Sequence, residues 1–256
     1  MLFRSYLRAV EAADGQVLET PVKRAVDDFF KGCKADPSGI PGRSNWDAIK
    51  ASCILCGART LAGALVPLVG TAPTNVADGF VAGDYTRGGA TPGLKGDGTS
   101  YLDSGRAGDD DPLEDHHMAC YATETSSAVT HTKMGALQSA TGAYELVKNS
   151  DRAYFYSRSS TSFFTGTGVG NQTGLYGYSR TGSTLNSRAL GVDYTATRAA
   201  VARAGINIFV FGYNDGSSLV EPSQGRLAFY SIGESLDLAA FDARVTALVT
   251  AIGAAV

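Results

Sequence analysis

Apolar residues recur along this chain in two rhythms, and the change from one to the other divides it. In the first stretch Phe3, Tyr6, Leu7 and Val10 share one face of a 3.6-residue period, and Gly15 supplies a stop. Thr20-Pro21 offers a cap followed by proline at the first helical position, and Val22, Val26, Phe29 and Phe30 line the apolar face of a second helix. Asp36 to Ser44, with Pro37, Gly39, Pro41 and Gly42, reads as a loop. Asn45 then caps a third helix whose inward residues are Trp46, Ile49, Cys53 and Cys56.

Beyond about Thr60 the rhythm becomes period two, in short segments separated by Gly, Asp, Asn and Ser. The expected strands are Ala64–Val69, Gly79–Tyr85, Tyr101–Asp103, His117–Thr123, Ala143–Val147, Ala153–Arg158, Gly174–Arg180, Ile206–Tyr213 and Arg226–Ile232. Gly96-Asp97-Gly98, Asn149-Ser150-Asp151 and Asn214-Asp215-Gly216 mark turns. Leu238, Phe241, Val245, Leu248 and Ile252 return to helical spacing and close the chain with one amphipathic helix. This pattern predicts a mainly β sandwich or jelly roll, preceded by a small three-helix module (residues 1–60) and spanning residues 61–256 with its C-terminal helix.

Composition agrees with that division. The 256 residues are 44% hydrophobic and only 18% charged, so a large core is available. The 31 glycines fit many tight turns. A formal charge of -3, with no basic block interleaved with aromatics, gives no electrostatic footprint for nucleic acid. Ala51 to Gly70 has the length of a membrane span, but Arg59, Gly57, Gly63 and Pro67 interrupt it, so it reads as buried soluble structure. The N-terminus lacks signal-peptide character, which suggests synthesis in a cytoplasm.

The residues that could carry chemistry are sparse. Cys53-x-x-Cys56 has no second pair and no nearby histidine, so Cys33, Cys53, Cys56 and Cys120 read as buried free thiols. His116 and His117 are adjacent and face opposite sides of a strand; with His131 they read as surface or satisfied core groups. Asp109-Asp110-Asp111, Glu114 and Asp115 read as a solvated loop. No pair of carboxylates at alternating strand positions suggests a glycanase, and Gly177 to Gly182 misses the spacing of a nucleophile elbow.

One pattern repeats. Tyr154-x-Tyr156-x-Arg158 and Tyr176-x-Tyr178-x-Arg180 each place two tyrosines and an arginine on a single face of a strand. On neighbouring strands they form a patch of rings and guanidinium groups suited to sugars or to a protein partner, while core packing is the plain alternative. Phe29, Phe30 and Trp46 are more apolar surface than three short helices need, so they are the candidate docking residues.

Several segments resemble a known group. Val10–Gly15, Ala48–Cys53 with Gly57–Thr60 and Leu65–Leu68, Gly93–Thr99 with Tyr101–Asp103, and Arg226–Gly233 resemble bacteriophage tail and virion proteins that join a helical N-terminal module to a concanavalin A-like (LamG-like) lectin domain. The resemblance implies a non-enzymatic virion accessory, on tail or capsid, acting by protein–protein contact; the alternative is a receptor-binding lectin for host cell-surface polysaccharide. It implies other virion proteins and copies of the chain itself as partners, with a trimer the leading form. No cofactor, metal, membrane or nucleic-acid partner is expected. Removing Met1–Asp36 should then leave a soluble sandwich that no longer assembles.

Overall fold

The computed structural model describes residues 2–76, 79–128, 130–138, 143–159, 163–165, 167–202 and 205–256. Elements are numbered in chain order. One sheet contains β1 (Ile49–Ile54), β3 (Tyr85–Thr86), β4 (Gly93–Lys95), β6 (Asp115–Glu124), β11 (Gly174–Thr181), β12 (Thr184–Ala189), β13 (Val192–Thr197) and β17 (Arg226–Gly233). Its order is β13-β12-β11-β6-β17-β4-β3, with β1 also paired to β17. The second sheet runs β10-β9-β8-β7-β14-β5-β2. These are β2 (Thr74–Val76), β5 (Tyr101–Ala107), β7 (His131–Gln138), β8 (Ala143–Asn149), β9 (Ala153–Ser159), β10 (Phe163–Phe164) and β14 (Asn207–Val210). A small hairpin of β15 (Tyr213–Asn214) and β16 (Leu219–Val220) joins it through a parallel contact of β15 with β7.

The sheets form a sandwich because each carries an alternating apolar face. Met118, Tyr176, Leu227 and Tyr230 from the first sheet meet Leu102, Met134, Phe155 and Val210 from the second in one buried cluster. A second core lies on the other side of the first sheet. There α1 (Leu2–Asp14), α2 (Thr20–Ala35) and α5 (Leu238–Ala255) lay their apolar stripes against Ala119, Leu175, Ala228 and Phe229. The molecule is therefore three layers: helices, roofed sheet, open sheet. α5 is long and apolar enough to cross a membrane by length and composition, yet here Phe241, Val245, Leu248 and Ile252 are buried against the sheet.

Two local features fix the helices to this roof. Asp14, the last residue of α1, is buried and accepts from the backbone N–H of Arg59 at 2.7 Å and of Thr60 at 2.9 Å, and from the Thr60 hydroxyl at 2.7 Å. Gly15 follows at φ 65°, a conformation that glycine adopts without a Cβ penalty. At the other end Arg43 reaches from the loop after α2 to both carboxylate oxygens of Asp115 at 2.8 Å and to Glu234 at 2.8 Å. Burial alone would raise the Asp115 carboxyl, but hydrogen bonds from Arg43 and Ser235 hold it well below the ordinary range.

Several sequence-based expectations change here. The third helix is a single turn, α3 (Asn45–Ala48), capped by Ser44 in a box with Asp47, and the chain then enters β1. β1 is buried on nearly every residue, between helices and sandwich, so its apolar run carries no period to tell strand from helix. The CxxC pair therefore sits on and just after a strand, and all four cysteines are buried and free. Ala64–Val69 is not a strand: α4 (Leu61–Ala64) occupies its start and only Val69 bridges, to Ser52. Gly79–Tyr85 is not one strand: it holds a turn of 3-10 helix, Ala82–Asp84, and only Tyr85 enters β3. The stretch Ile206–Tyr213 breaks at Phe211, whose φ is 77°, into β14 and β15. Because β1 pairs with β17, a division at residue 60 cuts through the roofed sheet.

The docking residues are also reassigned. Phe29 is 2% exposed and its ring lies 5.6 Å from Phe229 and 6.2 Å from Phe241. Phe30 meets Trp46 edge to face at 4.6 Å. Phe29 thus covers the chain's own sheet and Trp46 is buried, while Phe30 packs on Trp46 and stays half-buried. Phe29→Ala should destabilise the fold by about 3–5 kcal/mol, read as a lower urea midpoint with an unchanged slope. Deleting residues 1–36 should uncover the Phe229 face and give an aggregating, dye-binding product rather than a soluble sandwich; a monodisperse, cooperatively melting product would refute the roof.

Candidate functional site

The two Tyr-Tyr-Arg patterns lie on opposite sheets. β9 belongs to the open sheet and β11 to the roofed sheet, and the two face each other across the interior. Tyr176 and Tyr178 are fully buried in the inter-sheet core. Tyr176 donates from its hydroxyl to the carbonyl of Val169 at 2.9 Å and accepts from the N–H of Gln172 at 3.1 Å. Arg180 crosses between the sheets: Nε donates to Ser157 Oγ at 3.1 Å and Nη2 to the Ser157 carbonyl at 2.9 Å, while Nη1 reaches the carbonyls of Arg198 at 2.8 Å and Gly182 at 3.2 Å. Ser157 Oγ also meets His116 Nε2 at 2.8 Å. Burial, then Arg158 and Arg180, hold the His116 imidazole well below its ordinary value, so it is neutral.

Arg158 breaks the alternation of its strand. Its φ of 47° turns the side chain inward, where Nη1 donates to the Asp111 carbonyl at 2.8 Å. Asp111 itself is buried and paired with Arg106 through Nε at 2.9 Å, so the acidic loop is not solvated throughout. Tyr154 and Tyr156 alone keep an outward position: they alternate with buried Ala153 and Phe155 and are half-buried. Of the six patch residues, then, four serve the interior and two stand on the outer face of the open sheet.

That outer face is the candidate binding surface. In one register row Tyr156, Leu146, Gly135, Phe209, Asp103 and Thr74 follow one another across β9, β8, β7, β14, β5 and β2. Adjacent strands stand about 4.8 Å apart, so the row spans roughly 24 Å. At one end Tyr101 stacks on Phe209 with ring centroids 4.3 Å apart and planes tilted by 33°. Beside that pair Asn207 Nδ2 donates to Asp103 Oδ2 at 3.2 Å. At the other end stand the two tyrosines of β9, and Gly135 between them offers only backbone. Gly135 is also bridged by Tyr213 of β15 and Phe209 is buried, so the half-buried rings here are Tyr154, Tyr156 and Tyr101. The period-two signal put Tyr154 and Tyr156 on one face of their strand, as they are here; Tyr101, Asp103, Asn207 and Phe209 gave no repeat that could mark them.

One buried cation also escaped the sequence reading. Lys133 sits at an irregularity in β7, where the register with β8 slips between Thr132 and Met134. Its side chain is fully buried, with Nζ 4.8 Å from the centre of the Tyr176 ring and 3.5 Å from His131 Nε2. Burial pushes its proton affinity down to about 8 and, with Lys133 beside it, pushes His131 down to about 4. Among the described residues no three of His, Cys, Asp or Glu come together as a metal site.

No family model matches the chain, and no curated protein matches it. Solved structures do. The CBM40 module of the Ruminococcus gnavus IT-sialidase, bound to alpha2,3 sialyllactose, is 9% identical over 59% of this chain and 96% of that one, with a TM-score of 0.43. The Trypanosoma rangeli sialidase in complex with sialic acid is 7% identical over 90% of this chain and 38% of that one, at 0.49. The NanB sialidase from Streptococcus pneumoniae is 8% identical at 0.39, and the match spans 51% of this chain and only 23% of that enzyme. At TM-scores below 0.5 these likenesses carry nothing about ligand or activity.

Lys133 generates a pH prediction with a definite sign. An ordinary lysine stays charged to 10.5, whereas this one loses its proton at about 8 in the folded state. Below about pH 8 folding therefore buries a charge, and that cost fades as pH rises toward 10.5, by about 3 kcal/mol in all. Lys133→Met should be more stable than the parent in urea at pH 7, with the gap narrowing by pH 10; a gap independent of pH would show that the amine is not desolvated.

Proposed function

We propose that this chain is a non-enzymatic binding protein of concanavalin A-like jelly-roll type, carried as an accessory on a phage particle, and that it meets its partner through the outer face of the open sheet. One observation carries this reading. The helices occupy the outer face of one sheet, so the other outer face is where the sandwich can present side chains, and half-buried rings stand there: Tyr154 and Tyr156 on β9, and Tyr101 on β5 against the buried Phe209. Tyrosine and other aromatic rings are favoured anchors of protein–protein contacts. The particle context rests on the resemblance of the N-terminal and closing segments to phage tail and virion proteins.

A second reading, attachment to host cell-surface polysaccharide, is favoured by one specific feature. The Tyr101–Phe209 stack lies beside the Asp103–Asn207 pair, joining an apolar ring surface to a carboxylate and a carboxamide. Ring faces suit the C–H surfaces of a sugar, and a few fixed polar groups suit its hydroxyls. The interior pattern on β11 has no part in either reading.

The test separates face from core. Changing Tyr154→Ser and Tyr156→Ser together should lower affinity for the intact particle, or for host polysaccharide, at least tenfold while leaving the melting curve within a few degrees. Tyr178→Ala should instead cost about 3–5 kcal/mol of stability. Full binding by the double variant would remove the face from consideration. Gold-labelled antibody against the chain should decorate phage particles; undecorated particles would overturn the particle context and leave the face to be tested against glycans alone.

A further inference from the structure

A sheet edge presents unpaired N–H and C=O groups, and a protein that keeps one long and regular has a use for it or a hazard in it. Among the described residues, the outermost strands β3, β10 and β2 are two or three residues long, and β1 is bridged along its free side by Leu68 and Val69. β13 is different. It has six residues, Val192–Thr197, no proline and no lysine or arginine, and it pairs on one side only, with β12. Its exposure alternates between exposed and half-buried along most of its length, and Val192 is 51% exposed.

The backbone geometry says which groups face out. β12 and β13 join through the two-residue turn Leu190-Gly191, with φ 53° and 79°, so Ala189 and Val192 form a hydrogen-bonded pair. Antiparallel pairing then alternates, directing the N–H and C=O of Val192, Tyr194 and Ala196 toward β12 and those of Asp193, Thr195 and Thr197 away from it. The Thr197 carbonyl accepts from Arg198 Nη1 at 2.9 Å. The outward backbone groups of Asp193 and Thr195 have no partner among the described residues.

We infer that β13 pairs antiparallel with β13 of a second copy about a two-fold axis through Tyr194, extending the roofed sheet across a dimer. Register follows from charge and from the occupied carbonyl. Asp193 opposite Asp193 sets like charges side by side. Thr195 opposite Thr195 needs the Thr197 carbonyl, which Arg198 holds. Asp193 opposite Thr195 avoids both, uses all four outward groups of each strand, and forms four hydrogen bonds. It places the carboxylate of one copy beside a hydroxyl of the other, while Arg188 remains 2.6 Å from Asp193 on its own side. It also sets Val192 against Ala196 and one Tyr194 against the other. A second copy is the occupant because the same six residues supply both strands in matching register, and a two-fold pairing closes both edges at once.

The full chain should sediment as a dimer at tens of micromolar, and Thr195→Pro, which removes an outward N–H and is tolerated on an edge, should sediment at half the mass with the same melting temperature. A monomeric parent, or a dimer that survives Thr195→Pro, overturns the inference. If that variant fails to fold, cysteine cross-linking decides. Residues facing each other at a non-hydrogen-bonded pair have Cα atoms about 4.5 Å apart, within disulfide reach. Mild oxidation should therefore cross-link Tyr194→Cys into a covalent dimer and leave Val192→Cys uncross-linked, since position 192 lies opposite 196. The native cysteines are buried. Cross-linking of Val192→Cys but not Tyr194→Cys, or of neither, refutes the pairing.

Discussion

The contact on which the rest of the molecule depends is a triangle of aromatic rings drawn from three distant parts of the chain. Phe29 of α2, Phe229 of β17 and Phe241 of α5 meet with centroids 5.6, 6.2 and 5.8 Å apart, inclined as edge-to-face rings prefer. Every residue of β17 is buried, because one of its faces belongs to this triangle and the other to the inter-sheet core. Closing the chain at Arg226–Gly233 thus joins the helices, both sheets and the C-terminal helix in one cooperative unit. With the roof in place, the outer face of the open sheet becomes the place where side chains can meet a partner.

Charge in this molecule follows the same layering. Arg43 at the rim is partly wet and gains from two separate segments, through Asp115 on one and Glu234 and Ser235 on the other. Arg180 in the interior is different: backbone carbonyls and a serine satisfy it, and burial lowers its proton affinity. A buried cation held by carbonyls from both sheets contributes less to net stability than to fixing how the sheets are aligned, since misalignment would leave it unpaired. Lys133 is held instead against the Tyr176 ring and beside His131, with no carboxylate paired to it among the described residues, which makes it the costlier of the two.

Much of the fold was legible in the residues. The apolar stripes of α1, α2 and α5 and the strands β6, β9, β11 and β17 were read nearly to their ends, because each is an apolar segment of characteristic length bounded by turn residues. Strands β7, β12 and β13 were not anticipated. His131–Gln138 mixes polar and apolar positions around its irregularity, and Leu190-Gly191 turns a hairpin without the usual Asn-Gly signal. The site was half legible: Tyr154 and Tyr156 came from their spacing, whereas Phe209 and Asp103 become neighbours only through the pairing of β14 with β5.

What the sequence determined by itself is therefore local: where the chain turns, which period each segment follows, and which residues along a strand share a side. Which side is inside was decided by tertiary structure alone. Tyr154-x-Tyr156 and Tyr176-x-Tyr178 are the same pattern, yet one pair stands on the open face and the other is sealed in the core. The difference arises because β11 lies beneath a helical roof and faces β9 across the sandwich, and burial on both sides of a strand erases the contrast that a period of two would otherwise report.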